Sequence, residues 1–150
     1  MEETLRLSKR LGLSGPYQKT EDLYRGAIAA SPMEVAGAAA TLINQGEAIE
    51  PHIITKITDE NGAVVYEFRP SVRQAISKAA AEGGLKSINP NKYQVVSCTS
   101  SCRDGWAMSL KAHEATVIWL GYDKPKKIAP SKALKASLRE LLRRVTASRS

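Results

Sequence analysis

The sequence predicts one mixed α/β (α+β) domain, in which helices flank an antiparallel sheet of about three strands and a separate hairpin. Its 150 residues suffice for one hydrophobic core, and 43% apolar with 25% charged residues is an ordinary globular composition. Helix-like and strand-like periodicities alternate along the chain, and the last three strand-like segments are separated only by short polar turns. We therefore expect residues 1–150 to form a single domain.

The first segment, residues 2–12, is predicted to be a helix. Leu5, Leu7 and Leu11 lie among good helix formers, and Gly12 ends the segment. Residues 14–30 mix turn residues with a short apolar stretch, so their structure stays open at this stage.

A second helix is predicted to begin at Ser31. Ser31 can cap the first free N–H groups, Pro32 suits the first helical position, and Glu34 can complete a capping box. Gly46 supplies the left-handed residue that ends such a helix. The helix between them is apolar nearly all round, and we expect it to be buried.

The middle of the chain predicts a hairpin and a short helix. Residues 53–58 and 63–68 are β-rich, and the Asp-Glu-Asn-Gly segment that joins them is typical of a hairpin. Residues 71–83 have the composition of a short helix, which Gly83-Gly84 would end.

The last third predicts an antiparallel meander followed by an amphipathic helix. Strand-like segments cover residues 93–99, 104–110 and 115–121, with short polar turns between them. A helix then begins at Ser131 and carries one apolar stripe that must cover another element: Leu134, Leu138, Leu141, Leu142 and Val145.

The formal net charge of +7 lies entirely in the last third of the chain. Residues 1–100 hold 11 Lys/Arg and 11 Asp/Glu, whereas residues 101–150 hold 11 Lys/Arg and 4 Asp/Glu. This pattern makes a nucleic-acid-binding module the alternative function, because basic side chains contact phosphate. Aromatic residues for base stacking are scarce, and Trp106 and Trp119 lie in strand segments, which favours solvated charges instead. The basic residues concerned are Lys124, Lys126, Lys127, Lys132, Lys135, Arg139, Arg143 and Arg144.

The only cysteines, Cys98 and Cys102, are four residues apart. Two thiolates cannot complete a structural zinc site, and nothing in the sequence places His52 or His113 beside them. A disulfide requires a tight turn and an oxidising compartment, so we favour two unpaired structural thiols. A cysteine nucleophile requires a base within reach, and the sequence provides none; we expect no catalytic cysteine, no metal and no cofactor.

Two features of the sequence concern membranes and location. No apolar run approaches the roughly 20 residues that span a bilayer, and the acidic N-terminus lacks the apolar region of a signal peptide. They predict no transmembrane segment and a cytoplasmic chain, unless the sequence is an excised piece of a larger protein.

Several segments, taken in order, resemble the transpeptidase domain of class A penicillin-binding proteins, over residues 5–145. The resemblance is carried by Leu7–Gly12, Ser31-Pro32-Met33-Glu34, Asn44-Gln45-Gly46, Glu50-Pro51-His52-Ile53, Arg103-Asp104-Gly105-Trp106 and Trp119-Leu120-Gly121-Tyr122. It implies the fold shared with serine β-lactamases and a role in peptidoglycan synthesis. In that family the serine of a Ser-x-x-Lys motif is acylated, a Ser-x-Asn motif relays protons, and a Lys-Thr-Gly motif on the third strand binds the substrate carboxylate.

The sequence departs from each of these motifs. None of its serines is followed by a lysine three residues later, and Ser87-Ile88-Asn89 fits Ser-x-Asn but lies on the wrong side of the second helix and hairpin. Cys98-Thr99-Ser100 aligns with Lys-Thr-Gly, so a neutral cysteine replaces the lysine. We therefore predict no enzyme activity and no catalytic residue. What remains is a vestigial binding strand: Cys98, Thr99, Ser100 and Ser101.

The chain is thus expected to be a truncated, non-catalytic transpeptidase-like domain. It would bind peptidoglycan peptides or cell-wall synthesis proteins, or be the remnant of a broken gene; the altered third motif disfavours half of a split enzyme. In the family two further strands precede this region. Strand 115–121 would therefore have an unpaired edge, where we expect a homodimer or a partner chain. An extracytoplasmic location follows if the chain is part of such a protein.

Overall fold

The computed structural model contains four α-helices and seven short strands within the residues that it describes. These are residues 1–17, 20–25, 28–88, 94–98, 103–128 and 130–148. In chain order the elements are α1 (Glu2–Arg10), α2 (Pro32–Ile43), β1 (Glu47–Ile49), β2 (Lys56–Thr58), β3 (Val64–Glu67), β4 (Val72–Gln74), α3 (Lys78–Ser87), β5 (Gln94–Cys98), β6 (Gly105–Lys111), β7 (Glu114–Leu120) and α4 (Ser131–Ala147). A short 3₁₀ turn at Glu21–Arg25 lies between α1 and α2.

Three antiparallel strands in the order β5-β6-β7 form the main sheet, which confirms the predicted meander. β6 pairs with β7 along its whole length, from Gly105 opposite Leu120 to Lys111 opposite Glu114. Val96, Ala107 and Ile118 are cross-strand neighbours. Because side chains alternate along a strand, these three share one face of the sheet.

Helix α4 covers that face with its leucine stripe. Leu134, Leu138 and Leu142 are at most 2% exposed, and they pack with Ala107 in one core cluster. A Cβ at Gly105 would lie only 2.7 Å from Leu138 Cδ1, so this glycine lets the helix approach the strand closely. The predicted stripe is confirmed for these leucines. Leu141, on the flank of the stripe, is 40% exposed.

Helix α2 begins as the capping box predicts. The Ser31 hydroxyl accepts a hydrogen bond from Glu34 N at 3.2 Å, and the Glu34 carboxylate accepts one from Ser31 N at 2.7 Å. The helix is less buried than expected: within α2 only Ala39 and Thr41 are fully buried, and Met33 is 57% exposed. The reason is that its neighbours α3, β1, β6 and β7 leave the N-terminal part of α2 bordering an open cavity.

The predicted hairpin is confirmed, with shorter strands than the sequence suggested. β2 and β3 pair antiparallel, and Asp59 Oδ1 accepts hydrogen bonds from the N–H groups of Asn61 and Ala63 in the turn. Every residue of both strands is exposed.

The helix predicted at residues 71–83 is confirmed only in its second half, and both predicted bounds are wrong. Val72–Gln74 instead form β4, which pairs antiparallel with the unpredicted strand β1. Helix α3 begins after Ser77, whose hydroxyl accepts a hydrogen bond from Ala80 N at 3.2 Å. Gly84 lies inside α3 rather than beyond its end, because a Cβ there would meet Leu42 of α2 at 3.3 Å and the glycine permits close packing of the two helices.

The longest described helix is α4, with 17 residues. No helix in the described part of the chain is both long enough and apolar enough to cross a membrane.

Candidate functional site

Of the predicted binding strand, the structure describes only the first residue, Cys98. Cys98 is the last residue of β5 and pairs with Gly105 of β6. The other members of the predicted binding strand, Thr99, Ser100 and Ser101, lie outside the described residues, and so does Asn89 of the Ser-x-Asn string. Ser87, at the start of that string, is the last residue of α3.

Cys98 is half-buried and packs against the core cluster of α4, with its Sγ 3.5 Å from Ser131 Oγ. It is disulfide-bonded. The expectation of unpaired thiols is therefore wrong for Cys98, because sequence spacing alone does not reveal whether a turn brings two sulfurs together. A disulfide sulfur has no ionisable thiol and no positive charge. This position accordingly offers neither a thiolate nucleophile nor a cation for a substrate carboxylate.

Asp104 has a buried side-chain oxygen at the start of β6: its Oδ1 has no hydrogen-bond partner within the described residues. Asp104 precedes Gly105, which pairs with Cys98.

His113 lies far from Cys98. His113 is in the turn after β6, whereas Cys98 pairs with the first residue of β6, so about seven residues of strand, roughly 20 Å, separate them. The His52 ring stacks on Phe68, with ring centroids 3.7 Å apart. No group of three or more His, Cys, Asp or Glu side chains in the described ranges is arranged to hold a metal ion.

The basic residues of α4 are partly engaged within the helix. Glu140 accepts hydrogen bonds from Arg143 Nε at 2.9 Å and from Arg144 Nε at 2.7 Å. These bonds, with that from Arg143 the larger cause, lower the pKa of Glu140 to about 2. The two tryptophans form a tilted pair with centroids 6.5 Å apart, Trp106 half-buried and Trp119 40% exposed. Arg143 and Arg144 are thus paired within a helix whose apolar face packs on the sheet.

Comparisons with known proteins agree with the resemblance. The profile of the family described as the penicillin binding protein transpeptidase domain matches residues 8–111. Penicillin-binding protein 2D from Bacillus subtilis is 29% identical over 142 residues, a match that covers 80% of this chain and 20% of that protein. Penicillin-binding protein 1A from Aquifex aeolicus is 26% identical over 144 residues, with 85% and 19% covered. The chain therefore spans about a fifth of the length of these curated relatives.

Solved structures share the fold. Penicillin-binding protein 1A from Haemophilus influenzae matches with a TM-score of 0.72 at 21% identity, covering 80% of this chain and 26% of that one. The penicillin-binding protein PonA1 from Mycobacterium tuberculosis matches with a TM-score of 0.70 at 16% identity, covering 87% and 43%. The likeness at these identities concerns the fold, and it confirms the predicted transpeptidase-like arrangement of helices on an antiparallel sheet.

Proposed function

Because the chain belongs to the penicillin-binding protein transpeptidase domain family, and is thereby related to peptidoglycan synthesis, we propose that it is a non-catalytic member of that family. The proposal is that these 150 residues bind a ligand or a partner protein and do not form an acyl-enzyme.

The observation that carries the proposal is the disulfide-bonded Cys98 at the end of β5. In the resemblance this position aligns with the lysine of Lys-Thr-Gly, whose charge attracts the substrate carboxylate. A neutral disulfide removes that attraction. Cys98 lies within residues 8–111, the segment that matches the family profile. The replacement of the lysine is therefore a difference within the matched segment.

The serines of the chain give a second line of support. None is followed by a lysine at the third position, so no hydroxyl has the neighbouring base that the family's nucleophile requires. Two described serines that make clear hydrogen bonds have structural roles, since Ser31 caps α2 and Ser77 caps α3.

Ligands of the same chemical class as the family's substrates fit this proposal. We propose peptidoglycan peptides or proteins of cell-wall synthesis as the partners, an assignment supported by family membership alone. A second copy of the chain, paired through the edge of β7, is the further partner that we propose.

The test is acylation by a fluorescent penicillin, followed by intact-mass analysis of the whole chain. We expect no covalent adduct, with or without a reductant, because no serine has the lysine of the family's motif and His113 lies too far along β6 to activate a Cys98 thiol. An active penicillin-binding transpeptidase serves as the positive control for the reagent.

The Cys98→Ala variant makes the experiment decisive. Under reducing conditions Cys98 becomes a thiol, and an adduct that disappears in this variant would identify it as a nucleophile and contradict the proposal. An adduct that persists in Cys98→Ala would contradict it equally, by revealing another nucleophile, and peptide mapping would assign that adduct to Cys102 or to a serine.

A further inference from the structure

A cavity of about 480 Å³ lies between the end of α1, the N-terminal half of α2, and the β1–β4 pair. Its volume is within the range of small-ligand sites in proteins. None of the described lining residues belongs to β5, β6 or β7, so Cys98 at the end of β5 is not part of the cavity wall.

The cavity wall is mainly apolar. Leu11, Met33, Ile49 and Pro51 contribute hydrocarbon surface. Met33 and Ile49 are 57% and 42% exposed, so this surface is open to solvent. Gly37 of α2 lies close to Pro51, since a Cβ at this position would be 3.4 Å from Pro51 Cγ, and a large side chain here would extend into the cavity.

Two opposite charges on the cavity wall have no opposite-charge partner. Arg73 of β4 donates a hydrogen bond from Nη2 to the carbonyl oxygen of Arg10 at 2.8 Å, which holds its guanidinium at the wall. Within the described part of the chain neither Arg73 nor Glu50 forms an ion pair. Glu34, the third charged lining residue, already accepts hydrogen bonds on both carboxylate oxygens, from Ser14 and Ser31.

We propose that this cavity binds a short peptide with free termini and apolar side chains. The peptide carboxylate would pair with Arg73, whose planar guanidinium suits a carboxylate, and the ammonium group would pair with Glu50. Arg73 and Glu50 do not form an ion pair with each other, so two charged groups of one ligand can engage them separately, and a dipeptide carries such groups at the two ends of its backbone. Its side chains cover Met33 and Ile49.

The test uses L-leucyl-L-leucine as the probe, titrated into the full isotope-labelled chain and followed by backbone amide NMR. We expect saturable shifts at the cavity amides Gly12, Gly37 and Ser71, with half-saturation at about 1 mM or below. N-acetyl-leucyl-leucine amide, which has the same side chains and no charges, should bind at least about tenfold more weakly. Shifts that are absent, or that lie outside the cavity, would overturn the proposal.

Three substitutions separate recognition from folding. Glu50→Gln removes one ligand contact without removing an ion pair of the fold, and it should weaken binding about tenfold, whereas Glu60→Gln at the hairpin tip should leave it unchanged. Gly37→Leu should abolish binding by filling the cavity. Unchanged affinity in Glu50→Gln, or equal binding of the capped and free dipeptides, would show that the charges do not recognise the ligand.

Discussion

Glu34 connects two segments that are distant in sequence. Its Oε1 accepts hydrogen bonds from Ser14 N at 2.9 Å and from the Ser14 hydroxyl, and its Oε2 accepts one from Ser31 N at 2.7 Å. These bonds, with that of the Ser14 hydroxyl the largest cause, lower the pKa of Glu34 to about 2. The capping box predicts the local bond to Ser31. The bond to Ser14 depends on tertiary structure, so no sequence pattern indicates it.

Replacing Glu34 with glutamine should reduce the pH dependence of stability in the acid range. A carboxyl group whose pKa is lowered by folding stabilises the protein above its unfolded pKa, and the contribution is lost as pH falls through the folded pKa. For Glu34 the window runs from the ordinary value of 4.5 down to about 2. Urea unfolding should therefore show a difference between wild type and Glu34→Gln at neutral pH that shrinks across this window.

The control for this measurement is Glu82→Gln, which changes an exposed glutamate of α3 in the same way. This variant should follow wild type at each pH. A difference between Glu34→Gln and wild type that stays constant down to about pH 2 would contradict the assignment of the hydrogen bonds to the carboxylate form.

Alanine substitutions at Gly46 and Gly62 separate the cost of a left-handed backbone from the cost of steric overlap. Both have positive φ, +89° and +82°. A Cβ at Gly46 would lie 2.2 Å from the Ile76 carbonyl oxygen, whereas nothing lies within 4 Å of one at Gly62. Gly62→Ala should cost about 1–2 kcal/mol for the left-handed backbone, and Gly46→Ala about 3 kcal/mol or more. Equal losses in denaturant unfolding would contradict the overlap at Gly46.

At the scale of elements, the contact between α4 and the sheet should dominate stability. Leu138 is fully buried against the strands and Leu141 of the same helix is 40% exposed. Leu138→Ala should lower the free energy of unfolding by about 2–5 kcal/mol, because it leaves a cavity in the core. Leu141→Ala should lower it by less than about 1 kcal/mol. Similar losses for the two variants, measured by urea unfolding, would show that α4 does not pack as described.

Elements with long local patterns were predictable, and elements formed by distant pairing were not. The leucine stripe of α4 and the capping box of α2 identify their helices directly. β1 and β4 have three residues each and pair across more than 20 residues, which is too short for an alternation pattern to indicate. Treating Gly83-Gly84 as a helix end failed because the contact of Gly84 with α2 outweighs its weak helix propensity.

At the scale of the whole molecule, the candidate sites were likewise predictable only where their residues are close together in sequence. The strand that ends at Cys98 was predictable because its residues are contiguous, whereas the assignment of Cys98 to the third motif stays a prediction. The cavity was not predictable, because it combines Leu11, Met33, Glu50 and Arg73 from four separate segments, two of which pair only in the folded chain. Sequence patterns report neighbours along one element, and this cavity lies where elements meet.

The proposed dimer depends on the edge of β7. β7 pairs with β6 on one side, and no other described strand pairs with its second side. The strand contains no proline or lysine, residues that commonly protect such edges. Two copies of β7 paired antiparallel about a two-fold axis through Val117 would place Trp119 of one copy opposite Ala115 of the other.

Light scattering should therefore give a mass that rises from one chain toward two as concentration increases. Trp119→Lys puts a charge beside the proposed two-fold axis in both copies, and it should weaken dimerisation about tenfold or more. Val65→Lys makes the same change on the hairpin, at a side chain that is 64% exposed and remote from the main sheet, and it should leave the dimer intact. A mass of one chain at every concentration would contradict pairing through β7. Equal weakening by both variants would assign the association to general charge repulsion instead of the strand edge.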